Sequence, residues 1–291
     1  MKNEKQSRFN RLAKETTRGD AASLTPCAAS AAEEHTANLL PRLRSEKTAR
    51  LKGGLYHETQ IALCYNSNRI EGNRLSEQQT RLIFETATLL PENGDAIRMD
   101  DLIETSNHFA AFDFLLDVAD RPLDERCIKQ FHAVLKRGTT DAAKEWFRVG
   151  GYKRMPNMVG GRETTPPRKV ACAMKTLLAE YRALPSVTFE AVIDFHYRFE
   201  TIHPFQDGNG RVGRLIAFKE CLAHGLVPFI IDESHKAFYY RGLSRYPETP
   251  EYLLDTCRSA QDRYAEMIRY FAARLTSCAA TDTESRKETE Q

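Results

Sequence analysis

Apolar residues recur every three or four positions in six long stretches of this chain, which is the spacing of one face of an α-helix. The stretches run over 102–116, 128–135, 170–181, 192–199, 215–222 and 253–275. Asp124 and Thr188 stand at the N-cap positions of two of them, and Thr249 followed by Pro250 opens the last. The pattern predicts a mainly α-helical fold.

One stretch favours β structure instead. Between 147 and 165 the chain lacks a helical period and carries glycine pairs at 150–151 and 160–161. Paired glycines permit the tight turn of a hairpin. Pro156 removes one backbone donor, so we do not expect complete strand pairing. The sequence therefore predicts a short hairpin, called the flap below (residues 150–161), on an otherwise helical domain.

The composition divides the 291 residues into four parts. Residues 1–45 are polar with few large apolar side chains, and such a segment buries too little surface to offset its ordering entropy, so we expect a mobile arm. Residues 46–120 are expected to form an N-terminal helical region and residues 121–275 the catalytic core. Residues 276–291 are expected to be a frayed polar tail.

Charge and apolar content disfavour several classes of protein. Forty-two Lys and Arg against 40 Asp and Glu leave a net charge of +2, without the basic excess expected of a nucleic-acid-binding chain. No run approaches the ~18 apolar residues of a membrane helix, and residues 1–20 lack the apolar segment of a secretory signal. Seven cysteines without paired spacing indicate reduced thiols. We expect a cytoplasmic protein with no membrane or nucleic-acid partner.

The residues from 202 to 215 read I-H-P-F-Q-D-G-N-G-R-V-G-R-L and concentrate phosphate-binding chemistry. Gly208, Gly210 and Gly213 also fit the dinucleotide-binding pattern G-x-G-x-x-G. That pattern is informative only after a β-strand within a βαβ unit. Here a predicted helix precedes it and no parallel sheet is expected, so a Rossmann fold is excluded.

A helix that begins at Asn209 or Gly210 points its free backbone amides at an anion. Glycine at 208 and 210 lets a ligand approach the bare backbone. Arg211 and Arg214 are three residues apart, so they share a face of that helix, and each guanidinium can hold phosphate oxygens. These features predict a polyphosphate site.

Three further side chains extend this chemistry. Asp207 is a hard oxygen ligand suited to Mg²⁺ shared with phosphates. Asn209 can bind a phosphate oxygen or fix the loop. His203 is the nearby group able to accept a proton near neutral pH. Together these groups suit the attack of a hydroxyl on a nucleotide phosphate.

The segment fills every specified position of the Fic (Fido) family motif, H-x-F-x-D/E-G-N-G-R-x-x-R, with His203, Phe205, residues 207–211 and Arg214. The chain resembles this family over roughly residues 56–275. The resemblance implies a mainly α-helical Fic-type domain with a small β-hairpin flap. It also implies adenylylation, the transfer of AMP from ATP to a Ser, Thr or Tyr hydroxyl of a target protein with release of pyrophosphate.

The resemblance assigns roles to the residues of the motif. His203 would deprotonate the target hydroxyl, and Asp207 would hold Mg²⁺ between the α- and β-phosphates of ATP. The backbone amides of residues 208–211, among them Gly208 and Gly210, would form the anion hole, with the Asn209 side chain on the α-phosphate.

The remaining motif residues would orient the nucleotide. Arg211 would contact the β-phosphate and Arg214 the γ-phosphate, while Phe205 would anchor the loop in the core. Relatives that phosphorylate usually carry Lys at the position of Gly210, so the glycine favours AMP transfer.

A second segment, Ser67-Asn68-Arg69-Ile70-Glu71-Gly72, resembles the inhibitory pattern of the same family, S/T-x-x-x-E-G/N. A Glu71 carboxylate that reaches Arg214 would occupy the guanidinium that should hold the γ-phosphate. The resemblance therefore implies a built-in off switch that is released when the helix carrying Ser67 and Glu71 moves. The same carboxylate could align a water for removal of AMP from a modified target.

Two further features fall where the family places functional segments. The flap at residues 150–161 corresponds to the target-docking segment, which would register a target protein by backbone pairing; an ordinary connecting hairpin is the alternative. Tyr239 and Tyr240 correspond to a pair near the adenine; core packing of one ring and partial exposure of the other is the alternative.

Other functions stay open at this point. The same site could remove AMP or use another nucleotide, such as UTP. The chain could also be a non-catalytic nucleotide-binding regulatory module, although the complete motif disfavours this. A DNA-associated regulator with a vestigial core is disfavoured by the near-neutral charge. A homo-oligomer is compatible with the sequence.

Overall fold

A computed structural model describes the backbone of residues 38–91 and 96–289, and the side chains of these residues as far as Arg274. The chain is helical over most of this length. The helices in chain order are α1 Leu39–Ala49, α2 Leu55–Ile70, α3 Glu77–Thr86, α4 Met99–Val118, α5 Glu125–Lys136, α6 Pro167–Arg182, α7 Phe189–Ile202, α8 Asn209–Ala223, α9 Lys236–Arg245 and α10 Glu251–Thr289. Short 3₁₀ turns occupy Thr140–Ala143 and Glu233–His235. The predicted mainly α-helical class is confirmed.

Helix α8 lies at the centre of the fold. All its residues from Asn209 to Leu222 are buried, and it packs against α2, α4, α5 and α7. A helix enclosed on all sides needs apolar residues around its whole circumference or paired polar ones. Its sequence supplies both kinds, because the phenylalanine Phe218 joins the main core while Arg211 and Arg214 find acidic partners.

The predicted N-caps account for where several helices begin. The Asp124 carboxylate accepts a hydrogen bond from the backbone N–H of Cys127, and the Thr188 hydroxyl accepts one from Ala191. Each cap satisfies a backbone donor that the first helical turn leaves unpaired. These caps fix the beginnings of α5 and α7, which flank α8.

The flap is a two-stranded antiparallel hairpin, formed by β1 Met158–Val159 and β2 Arg162–Glu163. Gly160 and Gly161 connect the strands, both with positive φ, as a two-residue hairpin loop requires. The predicted hairpin is confirmed, but only β1 and the two-glycine loop lie within the 150–161 segment, and β2 follows directly after it. The preceding residues form a loop held by Lys153, whose Nζ donates to Asn157 and Thr164.

Two predicted boundaries need correction. The mobile arm was expected to extend to residue 45, but α1 already begins at Leu39. Leu39 and Leu43 are fully buried in the main core and hold that helix in place. Residues 1–37 lie outside the described part of the chain. At the other end, α10 continues through the expected tail to Thr289.

Candidate active site

The motif forms the junction between α7 and α8, the catalytic loop of residues 203–208. His203 follows the last residue of α7 in a left-handed conformation (φ 50°, ψ 64°), and its N–H donates to the carbonyl of Phe199. Gly208, with φ +78°, immediately precedes α8. A left-handed histidine is uncommon, and here it reverses the chain so that the motif lies beside the first turn of α8.

The loop is fixed from within. The Phe205 N–H donates to Asn209 Oδ1 at 2.8 Å, and Asn209 Nδ2 donates to the Phe205 carbonyl at 2.9 Å. The Phe205 ring is fully buried and stacks on His132, with centroids 4.0 Å apart and planes nearly parallel. Of the two roles expected for Asn209, its side chain therefore performs the loop-fixing one in this structure. Its contact with the α-phosphate stays a prediction.

His203 is poised to accept a proton. Burial, together with the positive charge of Lys153, lowers the pKa of its imidazole to about 4, while a backbone hydrogen bond to Glu200 and the charges of Glu71 and Asp207 partly oppose the shift. The ring is therefore neutral at pH 7, as a general base must be before it acts.

A carboxylate already lies against the first turn of α8. A Cβ built on Gly210 would come 2.2 Å from Oε1 of Glu71, so the two groups are in close contact and a larger residue at 210 would displace Glu71. The first turn of a helix favours negative charge through its unpaired amides and the helix dipole. Glu71 therefore lies where an anionic ligand of α8 would be stabilised.

Arg214 is the cation that holds this carboxylate. Its Nη2 donates to Glu71 Oε1 at 2.8 Å and to the Ser67 carbonyl at 2.8 Å, while Nε donates to the Ser67 hydroxyl at 3.0 Å. The guanidinium is 4% exposed. Buried charge-assisted hydrogen bonds of this kind are strong and geometrically specific. The structure thus brings together Ser67, Glu71 and Arg214, as the sequence predicted.

Asp207 contacts two cations through one oxygen. Its Oδ2 lies 2.6 Å from Lys136 Nζ and 3.3 Å from Arg211 Nη2. Burial alone would raise the pKa of Asp207, but the charges of Arg211 and Lys136 outweigh this effect and hold the pKa well below its usual range. The carboxylate is therefore ionised at any physiological pH.

An ionised carboxylate beside a phosphate site fits a hard divalent cation. The Asp207 side chain is 46% exposed, and Mg²⁺ is commonly held by one or two carboxylates together with substrate phosphates. Within residues 38–91 and 96–274, no group of three or more His, Cys, Asp or Glu side chains is arranged to hold a metal.

The two tyrosines on α9 differ in position. The Tyr239 ring is 1% exposed, its hydroxyl is 2.6 Å from His196 Nε2, and its centroid is 5.9 Å from the Arg214 guanidinium. Tyr240 is 42% exposed and donates to the Ile70 carbonyl. This arrangement matches the alternative expected for the pair, core packing of one ring and partial exposure of the other. Contact of either tyrosine with adenine stays a prediction.

Sequence reasoning missed two charged residues next to the motif. Glu104 on α4 contacts Arg211 and Lys136, and Lys136 at the end of α5 contacts Asp207. Their positions could have been recognised from helical spacing. Glu104 is four residues from the buried His108 on α4, and Lys136 is four residues from the buried His132 on α5, so both lie on buried helix faces. A charged residue on a buried helix face needs a buried partner.

Glu200, three residues before His203, was also missed. Its Oε1 would lie 2.3 Å from a Cβ on Gly213 and has no hydrogen-bond partner. Burial raises the pKa of its carboxyl to about 8, with the Arg214 charge opposing and the Glu71 charge reinforcing the shift. A carboxyl group beside Arg214 is therefore protonated at neutral pH.

Comparison with known proteins finds the same family that the motif resembles. Residues 122–220 match the sequence profile of the Fic/DOC family. Similar proteins include the protein adenylyltransferase Fic of Aedes aegypti, 29% identical over 188 residues, and the protein adenylyltransferase fic-1 of Caenorhabditis elegans, 29% identical over 200 residues. These alignments cover 63% and 65% of this chain, but only 36% and 37% of the relatives, so this chain corresponds to little more than a third of their length.

The fold also has solved counterparts. A Fic-domain-containing signaling protein from Bacteroides thetaiotaomicron superimposes with a TM-score of 0.62 at 22% identity, covering 80% of this chain and 94% of that one. Residues 122–220 are therefore similar in sequence to the Fic/DOC family, and the fold is similar to that of a Fic-domain-containing protein. In the part of the chain that the structure describes, no helix combines the length and the apolar character needed to cross a bilayer.

Proposed function

We propose that this protein is an adenylyltransferase that moves AMP from ATP to a Ser, Thr or Tyr hydroxyl of a target protein. The observation that carries the proposal is the junction of α7 and α8. It places a neutral His203, an ionised Asp207 and two buried arginines around the first turn of one helix. The relatives named as protein adenylyltransferases support the same reaction class.

The residues divide the reaction between them. The target hydroxyl attacks the α-phosphorus of ATP, and a new P–O bond forms while the bond to the pyrophosphate oxygen breaks. His203 takes the hydroxyl proton, because its lowered pKa leaves it unprotonated. The amides at the start of α8 stabilise the negative charge on the α-phosphate oxygens. Arg211 and Arg214 hold the β- and γ-phosphates.

A magnesium ion bound at Asp207 would neutralise charge on the α- and β-phosphates. The ionised, partly exposed Asp207 carboxylate supplies its protein ligand. ATP is the co-substrate that the adenylyltransferase relatives imply.

The contact between Glu71 and Arg214 makes the protein autoinhibited in this conformation. Glu71 Oε1 takes a hydrogen bond from the arginine that would bind the γ-phosphate, and the carboxylate lies against Gly210, where phosphates would approach α8. ATP must therefore displace Glu71 or bind in a nonproductive orientation. Release requires movement of the last turn of α2.

The target protein would dock on the flap. Met155, Met158 and Val159 are 46–63% exposed, and the β-strand edges of the hairpin can pair with an extended target segment. Lys153 ties this hairpin to the active site, because its backbone N–H donates to the Pro204 carbonyl at 2.9 Å. A docked hydroxyl would thereby be registered against the catalytic loop.

The test is transfer of label from ATP. The parent protein, Glu71→Gly, Glu71→Gln and His203→Ala are incubated with Mg²⁺ and ATP labelled at the α- or γ-phosphate. We expect protein-bound α-label that is strongest in Glu71→Gly, intermediate in Glu71→Gln, which keeps the shape but not the charge, and absent in His203→Ala.

Other patterns of label would identify the alternatives. Label from the γ-phosphate alone would show kinase-like orientation and refute AMP transfer. Nucleotide binding without label, even when lysate proteins are added as targets, would favour a regulatory module. Loss of label from a pre-adenylylated protein, dependent on Glu71, would favour AMP removal.

A further inference from the structure

Lys136 occupies an unusual place for a lysine. Its side chain is 2% exposed, and its ammonium lies 2.6 Å from Asp207 Oδ2 and 2.6 Å from Glu104 Oε1. An ammonium in such surroundings is stable only with close anionic partners. Both of these carboxylates are present, and a third, Asp141, lies at 3.6 Å from the ammonium. Of the two nearer partners, Asp207 is the carboxylate proposed to bind the metal.

These contacts close into a ring of four alternating charges. Glu104 uses its second oxygen, Oε2, to contact Arg211 Nη1 at 2.5 Å, and Arg211 Nη2 returns to Asp207 Oδ2 at 3.3 Å. The ring joins α4, α5, the catalytic loop and α8. Because each charge has two opposite neighbours, the ring fixes the Asp207 carboxylate in one position. Glu104 lies outside the segment that matches the Fic/DOC family profile.

The ring also limits what else can bind to Asp207. A divalent cation at this carboxylate would lie close to the Lys136 ammonium and the Arg211 guanidinium. Like charges a few ångströms apart in a protein repel each other strongly, and a divalent ion is repelled more than a monovalent one. The phosphates of a nucleotide would bring compensating negative charge to the same place.

We propose that Lys136 is a positioning residue that substitutes for the metal on Asp207 and makes divalent-cation binding depend on nucleotide. Without nucleotide, the ammonium keeps the carboxylate oriented and excludes a tightly bound ion. With nucleotide, the phosphates outweigh its repulsion, and cation and nucleotide bind together. This inference rests on the proposed function only in taking Asp207 as the metal ligand.

The test measures how tightly the protein binds Mn²⁺ in the absence of nucleotide, so that no turnover occurs. The electron paramagnetic resonance signal of the free ion reports the bound fraction. The key variant is Lys136→Met, which keeps the length of the side chain and removes its charge. Glu104 still pairs with Arg211 in this variant. Lys136→Arg is the matched control that keeps the charge. The double variant Lys136→Met/Asp207→Asn tests whether the bound ion is at Asp207.

We expect weak Mn²⁺ binding by the parent protein and by Lys136→Arg. We expect binding about tenfold tighter or more in Lys136→Met, and loss of this gain in the double variant. A non-hydrolysable ATP analogue should strengthen Mn²⁺ binding more in the parent than in Lys136→Met, because the two ligands are linked through the same charge.

Equal Mn²⁺ affinity of parent and Lys136→Met, or a gain that persists without Asp207, would overturn the proposal. If Lys136→Met does not fold, Lys136→Gln repeats the comparison with a polar side chain. The outcome is independent of AMP transfer. If Lys136→Met binds Mn²⁺ more tightly than the parent but the parent transfers no AMP, only the proposed function is refuted. If the parent transfers AMP but Lys136→Met does not bind Mn²⁺ more tightly, only the role of Lys136 is refuted.

Discussion

The chemistry proposed for this protein depends at the residue scale on a histidine that stays neutral. An exposed histidine titrates near pH 6.5 and would be partly protonated in many cellular compartments. Burial lowers the pKa of His203 to about 4, and the nearby Lys153 contributes to the shift. The base is therefore available throughout the physiological range, and its protonation does not limit the reaction until well below pH 6.

This leads to a prediction for the titration of His203. In the free protein its imidazole proton resonances, assigned with His203→Gln, should show a midpoint below pH 5. In Lys153→Met the midpoint should move upward, because a repelling charge is removed. Lys169→Met, which removes a charge from the first turn of α6, is the control and should not move it. A midpoint near 6.5 in the parent protein would show that the ring is solvated.

Removal of the base should separate catalysis from binding. His203→Ala leaves the α8 amides and both arginines in place, so affinity for a non-hydrolysable ATP analogue should stay within about twofold of its starting value. General bases typically contribute 10²- to 10⁴-fold to a rate, so AMP transfer in a Glu71→Gly background should fall by about a hundredfold or more. Calorimetry and α-label transfer measure the two effects. Retained transfer would require another base.

At the scale of elements, the last turn of α2 is held from two sides. Ser67 and Glu71 face Arg214 within the core, while on the outer side Arg69 Nε lies 2.9 Å from Glu233 and the Tyr65 hydroxyl 3.2 Å from the same carboxylate. The Glu233 N–H also donates to Asn66. Through these contacts, the 3₁₀ turn at Glu233–His235 acts as a clamp: it holds the last turn of α2 in place and so keeps Glu71 beside Arg214.

The clamp gives a prediction for Glu233→Ala. Ion pairs as exposed as Arg69–Glu233 contribute up to about 1 kcal/mol, so loss of the pair should strengthen binding of a non-hydrolysable ATP analogue by up to about fivefold. The control is Glu190→Ala, which removes a similarly exposed pair with Arg258 away from α2. In a Glu71→Gly background, Glu233→Ala should have no further effect. An equal increase in that background would exclude action through Glu71.

The helices also show which elements could be predicted from the sequence alone. Helices α4 to α8 and α10 were predictable from apolar period and caps, because each presents an apolar face to the core. Helix α1 was missed because polar residues surround Leu39 and Leu43. Helix α3 had a readable signal, the capping box of Ser76 and Gln79, which sequence reasoning overlooked.

The site was predictable to a different extent. The pairing of Glu71 with Arg214 followed from a motif whose positions are fixed in sequence. The ring through Glu104 and Lys136 joins residues 32 apart on different helices to the loop at 207. No local pattern specifies such a contact, because it depends on how α4 and α5 pack around α8.

At the scale of the whole molecule, the core encloses several neutral histidines. Burial lowers the pKa of His108, His132 and His196 to about 3 each, and positive charges nearby add to the shift. His203 behaves similarly. Between pH 6.5 and the folded-state pKa, the unfolded chain binds protons that the folded chain excludes. The free energy of unfolding must therefore fall as the pH is lowered through this range.

The size of this effect can be bounded. Each of the four histidines costs about 2 kcal/mol of stability between pH 7 and pH 5. Glu200 acts in the opposite direction, because burial raises its pKa to about 8 and the folded chain retains a proton that the unfolded chain releases. It offsets about one histidine, and burial also raises the pKa of Asp101 and Asp194, which reduces the loss further. Roughly 5 kcal/mol is therefore the upper limit of the loss.

We therefore predict that urea unfolding at pH 5 has a much lower midpoint than at pH 7. His108→Leu should flatten this dependence by about one proton, because neither ring nitrogen of His108 has a hydrogen-bond partner to lose. His224→Gln, at the exposed end of α8, is the control and should retain the dependence of the parent. A midpoint that does not change with pH, or an equal effect of both substitutions, would mean that the buried histidines do not control acid stability. A pH dependence that is weaker in His108→Leu than in the parent and the His224 variant would tie the stability of the fold to the buried core around α8 that also keeps His203 neutral.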